Sequence, residues 1–143
     1  MAIDIRVQFE KGLTGVNFDK REMRKAMRVA GRDVQKAARQ LIARRVRSAA
    51  GGNPGKDTGR LWRSLGYKVS KSGFMAVVKH RKVAGMKSFY PAFLYHGVRD
   101  RNGGWRISPR NNYIVDALDA RRDFVRATLA RHVEAALKPA WEK

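Results

Sequence analysis

YKVSKSGFMAVV (residues 67–78) contains two short apolar runs, Tyr67-Lys68-Val69-Ser70 and Phe74-Met75-Ala76-Val77-Val78, separated by Lys71-Ser72-Gly73. Runs of aromatic and β-branched residues around a short glycine-containing break read as a β-hairpin. Two strands joined by so tight a turn can only pair antiparallel. The segments on either side are therefore read as what extends this sheet and what covers it.

Upstream lies KDTGRLWRSLGYKV (residues 56–69), in which Asp57 or Thr58 caps a short helical turn carrying Leu61, Trp62 and Leu65. Before it, Gly51-Gly52-Asn53-Pro54-Gly55 breaks the chain. Residues 19–49 read as one helix, with apolar positions at Met23, Met27, Ala30, Val34, Ala37, Ala38, Leu41 and Val46. Asp19 is the expected N-cap, and Glu22 three residues on has capping-box spacing. Such a helix reaches roughly 45 Å. In AIDIRVQF (residues 2–9), Ile3, Ile5, Val7 and Phe9 alternate with Ala2, Asp4, Arg6 and Gln8, a half-buried strand that Gly12 and Gly15 end.

Downstream, KHRKVAGMKS (79–88) reads as a basic loop and YPAFLYHG (90–97) as a short aromatic segment. RDRNGGW (99–105) is a turn before a short strand at Trp105-Arg106-Ile107. Residues 113–141 form a second helical block on Leu118, Val125, Leu129, Val133, Ala136 and Leu137, with a break placed near Ala120 and Pro139 near its end. The two glycine-rich stretches, 51–55 and 103–104, read as flexible and as ordering on assembly. The expected fold class is α+β: a small antiparallel β-sheet packed by one long N-terminal helix and a C-terminal helix. The 143 residues fit one domain spanning 1–143.

Charge narrows the function classes. The chain holds 32 Lys and Arg against 12 Asp and Glu, a net +20. Residues 39–110 contain seventeen of those cations against Asp57 and Asp100 alone, so +15 of the +20 lies there. An excess of this size opposes compaction by self-repulsion and points to a polyanionic partner: nucleic acid, an acidic protein surface or anionic lipid. There is no Cys, which removes thiol catalysis, disulfides and Cys-ligated zinc. His80, His96 and His132 are scattered, and no apolar run has the length of a membrane span. Residues 1–5 lack the basic-then-apolar pattern of a signal peptide, so a cytosolic, non-redox setting is expected.

Reading heads for base sequence are missing: no helix-turn-helix, zinc finger, GXXG loop or RNP-like aromatic strand is present. Sequence-neutral contact with phosphates needs only Lys and Arg. Ser64, Thr58 and Ser108 are the nucleophile candidates and His80 and His96 the base candidates, but no spacing relates them. No carboxylate cluster suits a metal nuclease. The residues therefore suggest no enzyme, cofactor or metal. An enzyme would need His80 and His96. His96 beside Tyr95 and Gly97 reads as local packing, and Trp62 and Trp105 as core or interface anchors rather than base-stacking platforms.

Thr58, Gly59, Leu61 and Ser64 spell T-G-x-L-x-x-S after a long helix and a Gly/Pro loop. A hairpin follows, then Y-x-x-F-x-x-x-G at Tyr90, Phe93 and Gly97, then NYIVDAL (112–118) leading into the last helix. In order and spacing the chain resembles the tail-completion or neck proteins of long-tailed bacteriophages, also called head–tail joining or minor tail proteins. His96 and Val98 stand where that family usually has Glu and Thr, and Asn112 and Asp116 replace two Pro. The resemblance implies a structural virion protein forming a ring, often sixfold in that family. It implies neighbouring neck and tail proteins as partners, genomic DNA in the channel, no membrane, and assembly in the host cytoplasm. In the turn, Thr58 offers a hydrogen bond and Gly59 a positive φ or a close approach. Leu61 and Leu65 would bury against the sheet.

Within that setting, Arg44, Arg45, Arg47, Lys79, Arg81, Lys82 and Lys87 are the candidate contacts to DNA or to an acidic neighbouring ring. The hairpin and the 79–88 loop are expected to project toward them. The alternative is a sequence-neutral cytosolic nucleic-acid-binding protein.

Overall fold

The computed structural model describes residues 2–8, 18–42 and 48–141. Phe9, Gly12, Gly15, Arg44, Arg45, Val46 and Arg47 lie outside the described residues. Strand β1 (Ala2–Arg6) is followed by helix α1 (Lys20–Leu41), helix α2 (Arg60–Ser64) and strands β2 (Leu65–Val69) and β3 (Met75–His80). Helix α3 (Tyr90–His96), strands β4 (Val98–Arg99) and β5 (Trp105–Ile107), and helix α4 (Tyr113–Trp141) complete the chain. The architecture is α+β, as expected.

The hairpin forms with Tyr67 opposite Val78 and Val69 opposite Ala76. β1 joins the other side of β3, antiparallel, giving the order β1-β3-β2. Pleating puts Ile3, Ile5, Leu65, Ala76 and Val78 on one buried face and Ala2, Asp4, Arg6, Lys68 and Lys79 on the exposed face. Both strands of the hairpin extend beyond their expected ends. β2 begins at Leu65, which pairs with His80, so Leu65 is a strand residue rather than part of the preceding helical turn.

α1 lies on β2 and β3 and buries Met23, Ala26, Met27, Ala30, Val34 and Ala38. Its last helical residue is Leu41, and its C-cap Ile42 is buried in the core in line with Val34 and Ala38; residues 43–47 of the expected helix lie outside the described residues. α4 runs antiparallel beside α1 and is continuous through Ala120, without the expected break. Three polar links join the pair. Glu22 meets His132 at 2.5 Å, Arg121 donates twice to Asp33, at 2.6 and 3.0 Å, and the Asp19 amide donates to the Ala136 carbonyl at 3.2 Å.

Asp19 caps α1 as expected, accepting from the Arg21 and Glu22 amides at 2.8 and 3.4 Å. The reciprocal half of a capping box does not form. Ala136 takes the Asp19 amide, and that frees the Glu22 carboxylate for His132. Asp19→Ala is expected to lower folding stability by about 1 kcal/mol, read as a reduced urea midpoint at unchanged denaturant slope.

The glycine-rich stretches are held rather than loose. Gly51 donates to the Pro109 carbonyl and Asn111 to the Gly52 carbonyl, and the Asn111 side chain donates to Asn53. Asp100 closes the β4–β5 turn by accepting from the Asn102 and Gly104 amides at 2.9 and 2.8 Å.

Candidate functional site

Ser64 and His80, unrelated by spacing in the sequence, meet in the structure. Ser64 Oγ lies 2.6 Å from His80 Nδ1 and 2.7 Å from the Leu61 carbonyl, and His80 Nε2 contacts the Tyr113 hydroxyl. All three side chains are buried. One proton assignment satisfies every atom: Tyr113 donates to Nε2, Nδ1–H donates to Ser64, and Ser64 donates to Leu61. It requires a neutral imidazole, and burial lowers His80 from its ordinary 6.5 to about 4. Burial likewise pushes the Tyr113 hydroxyl up, so it keeps its proton. This group resembles a nucleophile–base pair in composition only. The serine proton points at a backbone carbonyl and the imidazole nitrogen that would relay a proton is occupied. Its chemistry is that of a satisfied polar core network.

The network joins the segments that carry the phage-family resemblance. Ser64 ends the T-G-x-L-x-x-S turn, His80 ends the hairpin, and Tyr113 opens α4 within NYIVDAL. Tyr90 joins from α3: it is raised by burial, against a backbone hydrogen bond with Leu61. Gly59 is the N-cap of α2 at φ 73°, the positive φ expected of it, and Leu61 is buried. Thr58 is exposed, and its Oγ1 accepts from the Arg60 amide at 3.4 Å.

The second motif has a different outcome. Gly97 caps α3 at φ 74°, ψ 172° with the Trp105 ring against it. Phe93, one turn earlier, is 44% exposed, Phe89 is 42% exposed and Trp105 48%. Arg99 stacks on Trp105 at 4.6 Å. The α3–β5 edge therefore presents an aromatic surface to solvent. His96 is exposed and packs edge-on against Tyr95, 4.7 Å between ring centres.

The candidate cations are dispersed among elements. Lys79 lies on β3, on the exposed face of the sheet, rather than in a loop. Arg81, Lys82 and Lys87 are exposed in the following loop, and Arg81 covers Gly66. The hairpin itself does not project: β3 is the central strand, and the Arg24 side chain donates to the Lys71 carbonyl in the turn. Among the described residues no carboxylate pairs with any cation between 39 and 110.

A second cationic surface is built by α1. Arg21, Lys25, Arg28, Arg32, Lys36 and Arg39 recur every three or four residues and so share one helix face. The first five are exposed. The acids of α1 sit elsewhere: Asp19 caps the helix, and Glu22 and Asp33 face α4. The stripe ends at Trp62, which has Arg39 at 4.3 Å and Lys56 at 5.0 Å from its ring centre. Arg39 also donates to the Leu65 carbonyl at 2.9 Å, and burial followed by Arg81 lowers its pKa. Open clefts of about 460 and 370 Å³ flank Trp62, the first lined by Arg32, Lys36 and Arg39 and the second by Lys56 and Arg63. The signal for this stripe was present in the sequence as helical spacing of cations, masked by the larger excess farther along the chain.

Among the described residues no group of three or more His, Asp or Glu is placed to hold a metal ion, and no helix is long and apolar enough to cross a membrane. Compared with protein-family models, curated proteins and solved structures, the chain matches none.

Proposed function

We propose that this chain is a structural protein of the bacteriophage head–tail junction. Identical copies form a ring that completes the tail or joins it to the head and lets genomic DNA pass. The neighbouring neck and tail proteins are its other partners, and the virion, assembled in the host cytoplasm, is its location. The supporting observation is the split fate of the motif segments. Ser64, His80 and Tyr113 lock the segments together inside one subunit, while Phe93 of the same set, like Phe89 and Trp105, stays exposed. Large aromatics at the surface are the usual anchors of an interface, here with a second copy. No catalysis is part of this reading, since Ser64 and His80 are buried and mutually satisfied.

The unpaired cations favour a second reading, a sequence-neutral cytosolic nucleic-acid-binding protein. Light scattering at low and high salt separates the two. The ring reading expects a mass of several subunits, lost in Phe89→Ser/Phe93→Ser. A protein that is monomeric at both salts and binds duplex DNA supports the second reading instead.

A further inference from the structure

We propose that the solvent-facing stripe of α1, Arg21 through Lys36, is a docking surface for the phosphate backbone of duplex DNA. It deepens the reading above, in which DNA passes through the assembled protein, and rests on the DNA contact in that reading. It also replaces the hairpin and the 79–88 loop as the principal contact.

The five exposed cations, Arg21 through Lys36, span roughly 22 Å of helix, the length of about six to seven base pairs at about 3.4 Å each. They are held on one line by α1, which is anchored to the sheet and to α4. Loop cations such as Lys82 and Lys87 have no comparable frame. Every acid on α1 is turned away from the stripe or committed to a partner, so the positive field along it is not offset locally. The row is bordered by one exposed apolar residue, Val29, and holds no aromatic or long aliphatic side chain of the kind from which a protein interface draws most of its energy. Stacking on unpaired bases is equally unsuited. The one ring at the end of the row, Trp62, is already flanked by Arg39 and Lys56. A regular line of cations without anchors or free rings matches a polyanion whose charges repeat along a stiff axis. That is the double helix, bound without regard to sequence.

The test is fluorescence anisotropy with a 20-base-pair duplex of arbitrary sequence, over a salt series, with light scattering on the same samples. With about five phosphates neutralised, the log–log salt slope is expected near about −4.5, roughly a five-hundredfold loss of affinity between about 50 and 200 mM salt. Arg28→Gln/Arg32→Gln/Lys36→Gln is expected to flatten the slope by between about two and three, leaving a loss below about a hundredfold over that range. Arg106→Gln/Arg126→Gln/Arg131→Gln removes the same charge from exposed positions off α1 and is expected to leave the slope within about one of wild type. All substituted side chains are exposed, and unchanged thermal unfolding confirms intact folds. Equal effects of the two triple variants would reduce the result to net charge and overturn the proposal. So would an α1 variant that loses binding to polyglutamate, a stand-in for an acidic protein, while its duplex binding is unchanged. A multi-subunit mass combined with an unaltered slope overturns this inference and leaves the ring reading standing. A monomer whose slope flattens as expected sinks the ring and keeps the stripe.

Discussion

Gly97→Val is expected to cost about 3–5 kcal/mol of folding free energy, which for a domain of this size removes much of its stability. Two effects combine. At φ 74°, ψ 172° the backbone occupies a region that is essentially confined to glycine, and a β-branched side chain there is strained by about 1–3 kcal/mol. A Cβ would also lie 2.6 Å from Trp105 Cζ3, 2.8 Å from the Ile107 carbonyl oxygen and 2.9 Å from Pro109 Cδ. The tryptophan rim can swing away, but the carbonyl and the proline ring cannot move without displacing β5. Urea denaturation measures the loss. A cost below about 1 kcal/mol would mean that the α3–β4 junction adapts and that Gly97 is not needed for its conformation.

Acid is expected to weaken the fold through His80. The folded protein holds this imidazole neutral down to about pH 4, while in the unfolded chain it titrates near its ordinary 6.5. Between those values the unfolded state binds the extra proton, so stability rises with pH across the window. His80's contribution is complete above about pH 6.5, declines as pH falls toward 4, and is gone below it. The gap corresponds to about 3 kcal/mol, because each pH unit between the two values contributes 1.36 kcal/mol. His80→Leu removes the titrating group but leaves Ser64 and Tyr113 without their partner in the core, so it is expected to lose about 2–4 kcal/mol at pH 7. The diagnostic comparison is the change in stability between pH 6.5 and 5. Wild type should decline more steeply than His80→Leu. Parallel declines would show that His80 is charged in the folded protein. Every group other than His80 is common to both proteins, so its effect cancels in the comparison.

The parts of the fold that were legible in the sequence are those governed by local periodicity. Alternation in AIDIR located β1 and its buried Ile3 and Ile5. The break at Lys71-Ser72-Gly73 located the hairpin, and Asp19 located the start of α1. Of the helix-spaced apolar residues of α1, Met23, Met27, Ala30, Val34 and Ala38 formed the core face whereas Leu41 is exposed, and Gly59 took the left-handed geometry, one of the two roles expected of it. What was not legible depends on contacts across the fold. His80 follows Lys79 and precedes Arg81-Lys82, so its neighbourhood reads as a solvated loop. Pairing with Leu65 continues the strand by two residues and carries the imidazole inside. Ser64 and Tyr113 complete its hydrogen bonding from distant positions that no spacing rule connects. The end of α1 was missed for a related reason. Its C-cap, Ile42, continues the apolar row of Val34 and Ala38, and no glycine or proline marks the place. The cationic stripe was readable in principle, because helical phase alone reveals it, but summing charge along the chain discards phase.

The way β1 and α4 are placed also sets the order in which the domain can be completed during synthesis. β1 leaves the ribosome long before β3, its only strand partner in the three-stranded sheet, and must wait unpaired while α1 and the hairpin emerge. The hairpin and α1 already share the contacts of a local unit, so they form the early nucleus available to the growing chain. The polar links from α1 to α4 close only when residues 121–136 have appeared, and Tyr113 reaches His80 at about the same stage. A nascent subunit therefore cannot close its core until residue 136 has emerged, and until then the face of α1 that receives α4 stays uncovered.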